Sequence, residues 1–246
     1  MLKRLSLYTL LLCFVPIFTY LIDWQWQANA IMPSFDYFLY LLTETGSVPY
    51  ALGTCVIFAL FYFLAIKDKK QAIWAILIMA FSVALTQGIK SGLKTAFAEP
   101  RPFVQEMAQN SAITTDDFYA QKRSERKKMV YQYYQETPQK QTTPEWLVEH
   151  YAHETGYSFP SGHTMFAATW LLLVVGFAQL LGKHNPKVKV LVPIVAIWAL
   201  LMLISRLRLG MHYPIDLFIS TLISWLVHIF IFTLLQRKYL FAVENR

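Results

Sequence analysis

Lys94 and Arg101, the turn Pro160-Ser161-Gly162-His163, and the group Ser205-Arg206, His212 and Asp216 form three polar clusters, each where a long apolar run gives way to polar residues. Two cations seven positions apart, a turn offering backbone amide donors, and a cluster combining Arg, His and Asp are the parts needed to hold a phosphate and cleave its ester. Each part alone has a plainer explanation. Lys94 and Arg101 could be cations snorkelling at a helix end. The tetrapeptide could be a capped helix start beside an interfacial histidine, and the third group could be a surface loop.

The elements that must position these residues are long apolar helices. The chain has 246 residues, 56% hydrophobic and 16% aromatic, with a positive mean hydropathy, too apolar for a soluble domain of this length. Six stretches, at 5–22, 48–66, 71–89, 163–182, 187–205 and 216–236, approach the roughly 20 residues that cross a hydrocarbon core. The sequence therefore predicts an all-α, six-helix integral membrane bundle. Ionisable groups at membrane depth cost about 2.5–3.5 kcal/mol on insertion scales, so Arg206, His212 and Asp216 at such helix ends point to function.

Lys3 and Arg4, then Lys67, Lys69 and Lys70, then Lys183, Lys187 and Lys189, and finally Arg237 and Lys238 fall at alternate helix ends, whereas 23–47 carries no Lys or Arg. The positive-inside rule then predicts both termini in the cytoplasm and all three clusters on the outer side. The net charge of +7 is largely this topology signal. No nucleic-acid-binding motif accompanies it, and no nucleic-acid partner is expected. Lys3-Arg4, the apolar run and Ala28-Asn29-Ala30 also have the order of a signal peptide. The run is long for one, and a retained anchor is expected. Cys13 and Cys55 lie inside predicted spans and read as small core residues.

One membrane domain, 1–246, is expected, with a mainly helical extramembrane insert at 103–157 that has helix-like stretches at 115–136 and 145–153. The run Lys122 to Lys128 reads as a solvated helix face. Pro33 to Ser47 is amphipathic and too short to span, and Trp24 and Trp26 suit an interfacial belt; both could equally be ordinary packing. Pro100 and Pro102 predict that the third helix ends at Lys94 and that Arg101 lies on an extended exit. Ser161 is placed to cap the fourth helix, and Gly162 to let a phosphate approach its amides. Pro214 suits the first turn of the sixth, with Asp216 near its start and His212 just before it. Arg208 could face headgroups or substrate. Glu154 reads as an exposed loop carboxylate.

Lys94 with six residues before Arg101-Pro102, then Pro160-Ser161-Gly162-His163, then Ser205-Arg206 with five residues before His212 and three before Asp216, resembles without departure the three-part signature of the type 2 phosphatidic acid phosphatase superfamily. The six-helix layout and long insert resemble its bacterial phosphatidylglycerophosphatase members. The resemblance implies a metal-independent lipid phosphatase working through a phosphohistidine. His212 would be the nucleophile, Asp216 its orienting carboxylate and His163 the general acid and base. Lys94, Arg101, Arg206 and the amides near Ser161 and Gly162 would bind the phosphate.

No cofactor is expected: there is no carboxylate cluster suited to Mg²⁺, and His163 and His212 lack a third ligand for Zn²⁺. The implied partners are the bilayer and a phospholipid or polyprenyl phosphate. Candidates are phosphatidylglycerophosphate, phosphatidic acid, lysophosphatidic acid, diacylglycerol pyrophosphate and undecaprenyl pyrophosphate, with a bacterial inner membrane and a periplasmic site as the setting. The signature also resembles that of vanadate-dependent haloperoxidases, which are soluble folds and so fit the apolar runs poorly. A lipid phosphotransferase, discharging the phosphohistidine to another acceptor, and a lipid transporter stay open, and the sequence does not define an oligomeric state.

Overall fold

A helix that is apolar all the way round must be enclosed by others, and Gly162–Leu181 is such a helix. In the computed structural model, which describes residues 1–181 and 185–237, this helix stands at the centre. Gly182, Lys183 and Lys238, which entered the span and topology expectations, lie outside the described residues. The chain runs α1 (Leu2–Leu21), α2 (Pro33–Glu44), α3 (Tyr50–Ala65), α4 (Lys69–Phe97), α5 (Pro102–Gln109), α6 (Thr115–Ala120), α7 (Arg123–Glu136), α8 (Glu145–His153), α9 (Gly162–Leu181), α10 (Leu191–Arg208) and α11 (Pro214–Arg237). Short 3-10 turns occupy Pro138–Gln141 and Pro186–Lys189. There is no strand among the described residues.

Helix α9 is contacted by α1, α4, α10 and α11. It is buried along 89% of its apolar window, against 28–39% for the other four long apolar helices, which makes it the post around which they stand. Ala167, Ala168 and Gly176 let its neighbours approach closely, and Gly176 leaves the space that the Phe232 ring takes. The outer helices turn large apolar side chains outward, such as Leu10, Phe14, Val56, Leu60 and Leu77.

Among the described residues, five helical runs are long and apolar enough to cross a membrane. The expected span at 48–66 is apolar but forms only the 16-residue α3, about 24 Å at 1.5 Å per residue. Pro49 precedes it, and Asp68 starts α4 immediately afterwards by accepting from the N–H groups of Lys70 and Gln71. Helix α4 runs one turn past Lys94, to Phe97, and stops at Ala98 in the left-handed conformation (φ 46°). Arg101 is extended as expected. Pro102, however, opens a further helix, α5, because a proline in the first turn loses no helical hydrogen bond. The stretch 115–136 is broken at Gln121-Lys122, and Thr114 and Asp117 form a capping box at the start of α6.

The segment between α4 and α9 has its own core. Phe103, Phe118, Val130, Tyr134, Leu147 and Tyr151 pack together with Leu209 and Met211 of the α10–α11 loop. Phe103 and Tyr151 stack at 4.4 Å between centroids, and the Phe103 N–H donates to the Gly210 carbonyl at 3.2 Å. Gly210 has φ +66°, and a Cβ there would lie 2.5 Å from the Trp26 ring. This close approach explains the glycine and gives Trp26 a packing role over the loop that carries His212.

Candidate active site

The C-terminal part of α4, the N-terminal end of α9, the turn between α2 and α3 and the loop before α11 that carries His212 converge on a cavity of about 820 Å³. Lys94, Arg101, Gly162, His163 and His212 line it. Its other wall holds Leu52 and Cys55 of α3 and Val83 of α4. Residues separated by more than a hundred positions are thus brought together, at the helix ends where they were expected.

His212 sits on the loop just before α11. Its Nδ1 lies 3.1 Å from Asp216 Oδ2, so the ring donates from Nδ1 and leaves Nε2 without a hydrogen bond among the described residues. Asp216, fully buried, is held by the Tyr213 N–H at 3.0 Å and by the Ser158 hydroxyl. Burial, followed by Arg101, Arg206, Lys94 and His163, pushes the His212 imidazole well below the ordinary histidine value. A neutral ring with a free nitrogen is the form in which histidine attacks phosphorus.

At the start of α9 the Phe159–Pro160 peptide is cis. Ser161 caps the helix by accepting from the Thr164 N–H at 3.3 Å. The Gly162 and His163 N–H groups make no hydrogen bond among the described residues and point the positive end of the helix at the cavity region. Gly162 also lets Lys90 lie close: a Cβ there would meet Lys90 Cδ at 2.9 Å and displace that side chain. His163 Nε2 lies 2.9 Å from the hydroxyl of Ser47.

The cations are held differently. Lys94 donates to the Tyr157 carbonyl. Arg101 donates from Nε to the Gly156 carbonyl at 2.7 Å and from Nη2 to Glu154 Oε2 at 2.8 Å. Arg206 is fully buried, with Nη1 at 2.8 Å from Thr43 Oγ1 and 3.3 Å from His150 Nε2. Its Nε and Nη2 are buried without a partner among the described residues, donors that suit an anion. Ser205 beside it bonds back to the Met202 carbonyl at 2.7 Å.

One expectation is corrected, and one residue left open finds its partners. Glu154 is no free loop carboxylate: its side chain is 24% exposed and paired with Arg101. Burial works against its charge, but Arg101, His163, Arg206 and His150 hold the carboxyl well below the usual range. Arg208, which the sequence left unassigned, has its partners within the protein. It forms a two-point pair with Asp36 at 2.7 and 3.0 Å and donates to the Ala30 carbonyl, tying α2 to α10. Sequence reasoning missed Glu44, Ser47, Lys90 and His150, all on the cavity wall. Lys90 lies one turn before Lys94, so helical spacing could have found it. Nothing local marks the other three. Among the described residues no three His, Cys, Asp or Glu side chains are grouped to hold a metal ion.

With this fold and this constellation, the chain belongs to the PAP2 superfamily, whose sequence model matches residues 75–240. It is 53% identical to phosphatidylglycerophosphatase B of Haemophilus influenzae over 244 residues, covering 99% of this chain and all of that one. It is 34% identical to phosphatidylglycerophosphatase B of Escherichia coli, covering 91% of this chain and 85% of the relative. A crystal structure of a transmembrane PAP2-type phosphatidylglycerolphosphate phosphatase from Bacillus subtilis has the same fold, with a TM-score of 0.55 at 20% identity over the whole of both chains. The protein is therefore a multi-pass membrane protein.

Proposed function

We propose that this membrane lipid phosphatase removes the terminal phosphate of a phosphorylated lipid through a phosphohistidine formed on His212, without a metal. Phosphatidylglycerophosphate is the first candidate substrate, on the names of its relatives. Phosphatidic acid, lysophosphatidic acid, diacylglycerol pyrophosphate and undecaprenyl pyrophosphate carry the same terminal group. The observation that carries the mechanism is the contact of His212 Nδ1 with Asp216, which leaves Nε2 without a hydrogen bond among the described residues, in a cavity shared with His163, Lys94 and Arg101.

In the first step the Nε2 lone pair attacks phosphorus, the ester P–O bond breaks, and His163 gives its proton to the departing oxygen. Asp216 stabilises the positive charge that appears on the His212 ring. In the second, His163 takes a proton from water as the water oxygen attacks phosphorus, the P–N bond breaks and inorganic phosphate forms. Lys94, Arg101, Arg206 and the first amides of α9 surround the three equatorial oxygens.

The apolar wall of Leu52, Cys55 and Val83 suits an alkyl chain arriving sideways between α3 and α4. The proposal includes six spanning segments, with α3 as the short one, and, from the basic residues at alternate helix ends, both termini in the cytoplasm and the 103–157 insert and site in the periplasm of a bacterial inner membrane. The single membrane domain 1–246 with that insert belongs to the same proposal. Phosphate release by purified protein in excess EDTA, with phosphatidylglycerophosphate and undecaprenyl pyrophosphate as substrates, tests it. Activity of the parent and none with His212→Ala or His163→Ala is expected; loss of parental activity in EDTA would overturn the metal-free mechanism.

A further inference from the structure

The sequence offered α2 and the turn after it as an interfacial segment, but the structure places that turn against the general acid. Ser47 Oγ lies 2.9 Å from His163 Nε2 and, at the long distance of 3.5 Å, from Glu44 Oε1. Both Glu44 and Ser47 line the cavity. The turn is pinned from several sides: Trp198 Nε1 donates to Thr45 Oγ1 at 2.9 Å, Thr54 Oγ1 donates to the Thr45 carbonyl at 2.8 Å, and Arg206 reaches Thr43. Gly46 completes the fit, since a Cβ there would lie 2.9 Å from His163 Cδ2.

We infer that Ser47, backed by Glu44, is a positioning residue that holds His163 in its proton-donating form, as Asp216 does for His212 in its nucleophilic form. The inference rests on the lipid phosphatase reading of the same site. A hydroxyl has one proton to donate. If Ser47 gives it to the Glu44 carboxylate, its oxygen lone pair accepts the Nε2–H of His163. That leaves Nδ1, which has no hydrogen bond among the described residues, to carry the proton passed to the leaving oxygen and later taken from water. Ser47 keeps its own proton throughout. The chain favours the imidazolium because only that form has N–H on both nitrogens, one for Ser47 and one for the leaving group.

The charged and titratable groups facing His163 are Arg206 from α10, His150 from α8, Glu154 from the segment after α8, and Arg101 from the start of α5. Lys90, Lys94, Arg123, Glu149, His153 and His212 share its cavity, and Glu44 Oε1 also lies 3.5 Å from His150 Nδ1. The guanidinium groups of Arg206 and Arg101 bring positive potential to the ring, and the lysines and histidines add to it whenever they are protonated. Glu154 opposes it but is already paired with Arg101. A carboxylate acting through Ser47 answers that potential directly at Nε2.

The test is the pH dependence of kcat/KM for phosphate release from phosphatidylglycerophosphate, whose alkaline limb reports loss of the acid's proton in the free enzyme. Ser47→Ala is expected to move that limb down by about one pH unit, giving about tenfold lower kcat/KM near pH 8 and a nearly parental value near pH 6. Glu44→Gln should move it in the same direction, and the double variant should move it no further than Ser47→Ala, because both act through one chain. Ser47→Thr, which keeps the hydroxyl, should restore the parental limb. A uniform loss at every pH in Ser47→Ala, or an unshifted limb, with parent and Ser47→Thr active, would overturn the inference and leave the phosphatase reading standing. An inactive parent would sink both.

Discussion

Arg206 is the cation whose burial makes it least replaceable. Two of its nitrogens are buried without partners among the described residues while the third is spent on Thr43 and His150. Lysine would keep the charge but lose the fork that serves both sides at once. Arg206→Lys should therefore lower kcat/KM by about a hundredfold, the scale of one lost oxyanion donor, with a thermal midpoint in detergent close to the parent's. For His212 the sign of the pH effect follows from its surroundings. Its folded value is pushed well below 6.5, so between 6.5 and that lower value an unfolded imidazole binds a proton that the folded one refuses, and the folded state loses stability as pH falls. The acid limb of kcat/KM, after correction for the dianionic fraction of substrate, is expected below pH 6.5, and the thermal midpoint should drop between pH 7 and pH 5.

Helix α2 links sequence-distant parts of the site, and it is secured by Asp36, 2% exposed, against Arg208. Removing one partner of a buried pair leaves the other unpaired, at a cost of about 3 kcal/mol. Asp36→Asn should lower the thermal midpoint and also depress activity, since α2 leads directly into Glu44 and Ser47; unchanged stability and turnover would show α2 to be held by its apolar contacts alone. This helix also marks the limit of what the sequence displays. Lys94, Arg101, His163, Arg206, His212 and Asp216 were legible because each motif spans at most a dozen positions around the ends of apolar helices, and the apolar runs announce those helices. The Ser47–His163 contact spans 116 residues, and the pairing of Arg101 with Glu154 spans 53; such pairs follow from how the helices pack, which no local period encodes. The start of α5 was missed for another reason: Pro102 can end one helix or begin the next, and only the turn at Ala98 decides between them.

At the scale of the whole molecule, orientation decides which leaflet the site serves. In a Cys13→Ser, Cys55→Ser background, Ser124→Cys on α7 should react with an impermeant maleimide added to intact spheroplasts, and Lys187→Cys only after lysis, both positions being exposed; the reverse pattern would invert the topology. The segment around α5 to α8 has a further effect through the two residues it borrows. Leu209 and Met211 belong to the loop before His212 but are buried in the aromatic core of that segment, whereas the bundle packs around α9. The loop that carries His212 is thus anchored in the smaller of the two cores. Under rising denaturant, catalytic activity should disappear with the aromatic core's fluorescence change while the helical signal of the bundle persists, so that this smaller core acts as a fuse, switching the enzyme off in a membrane that still holds it intact.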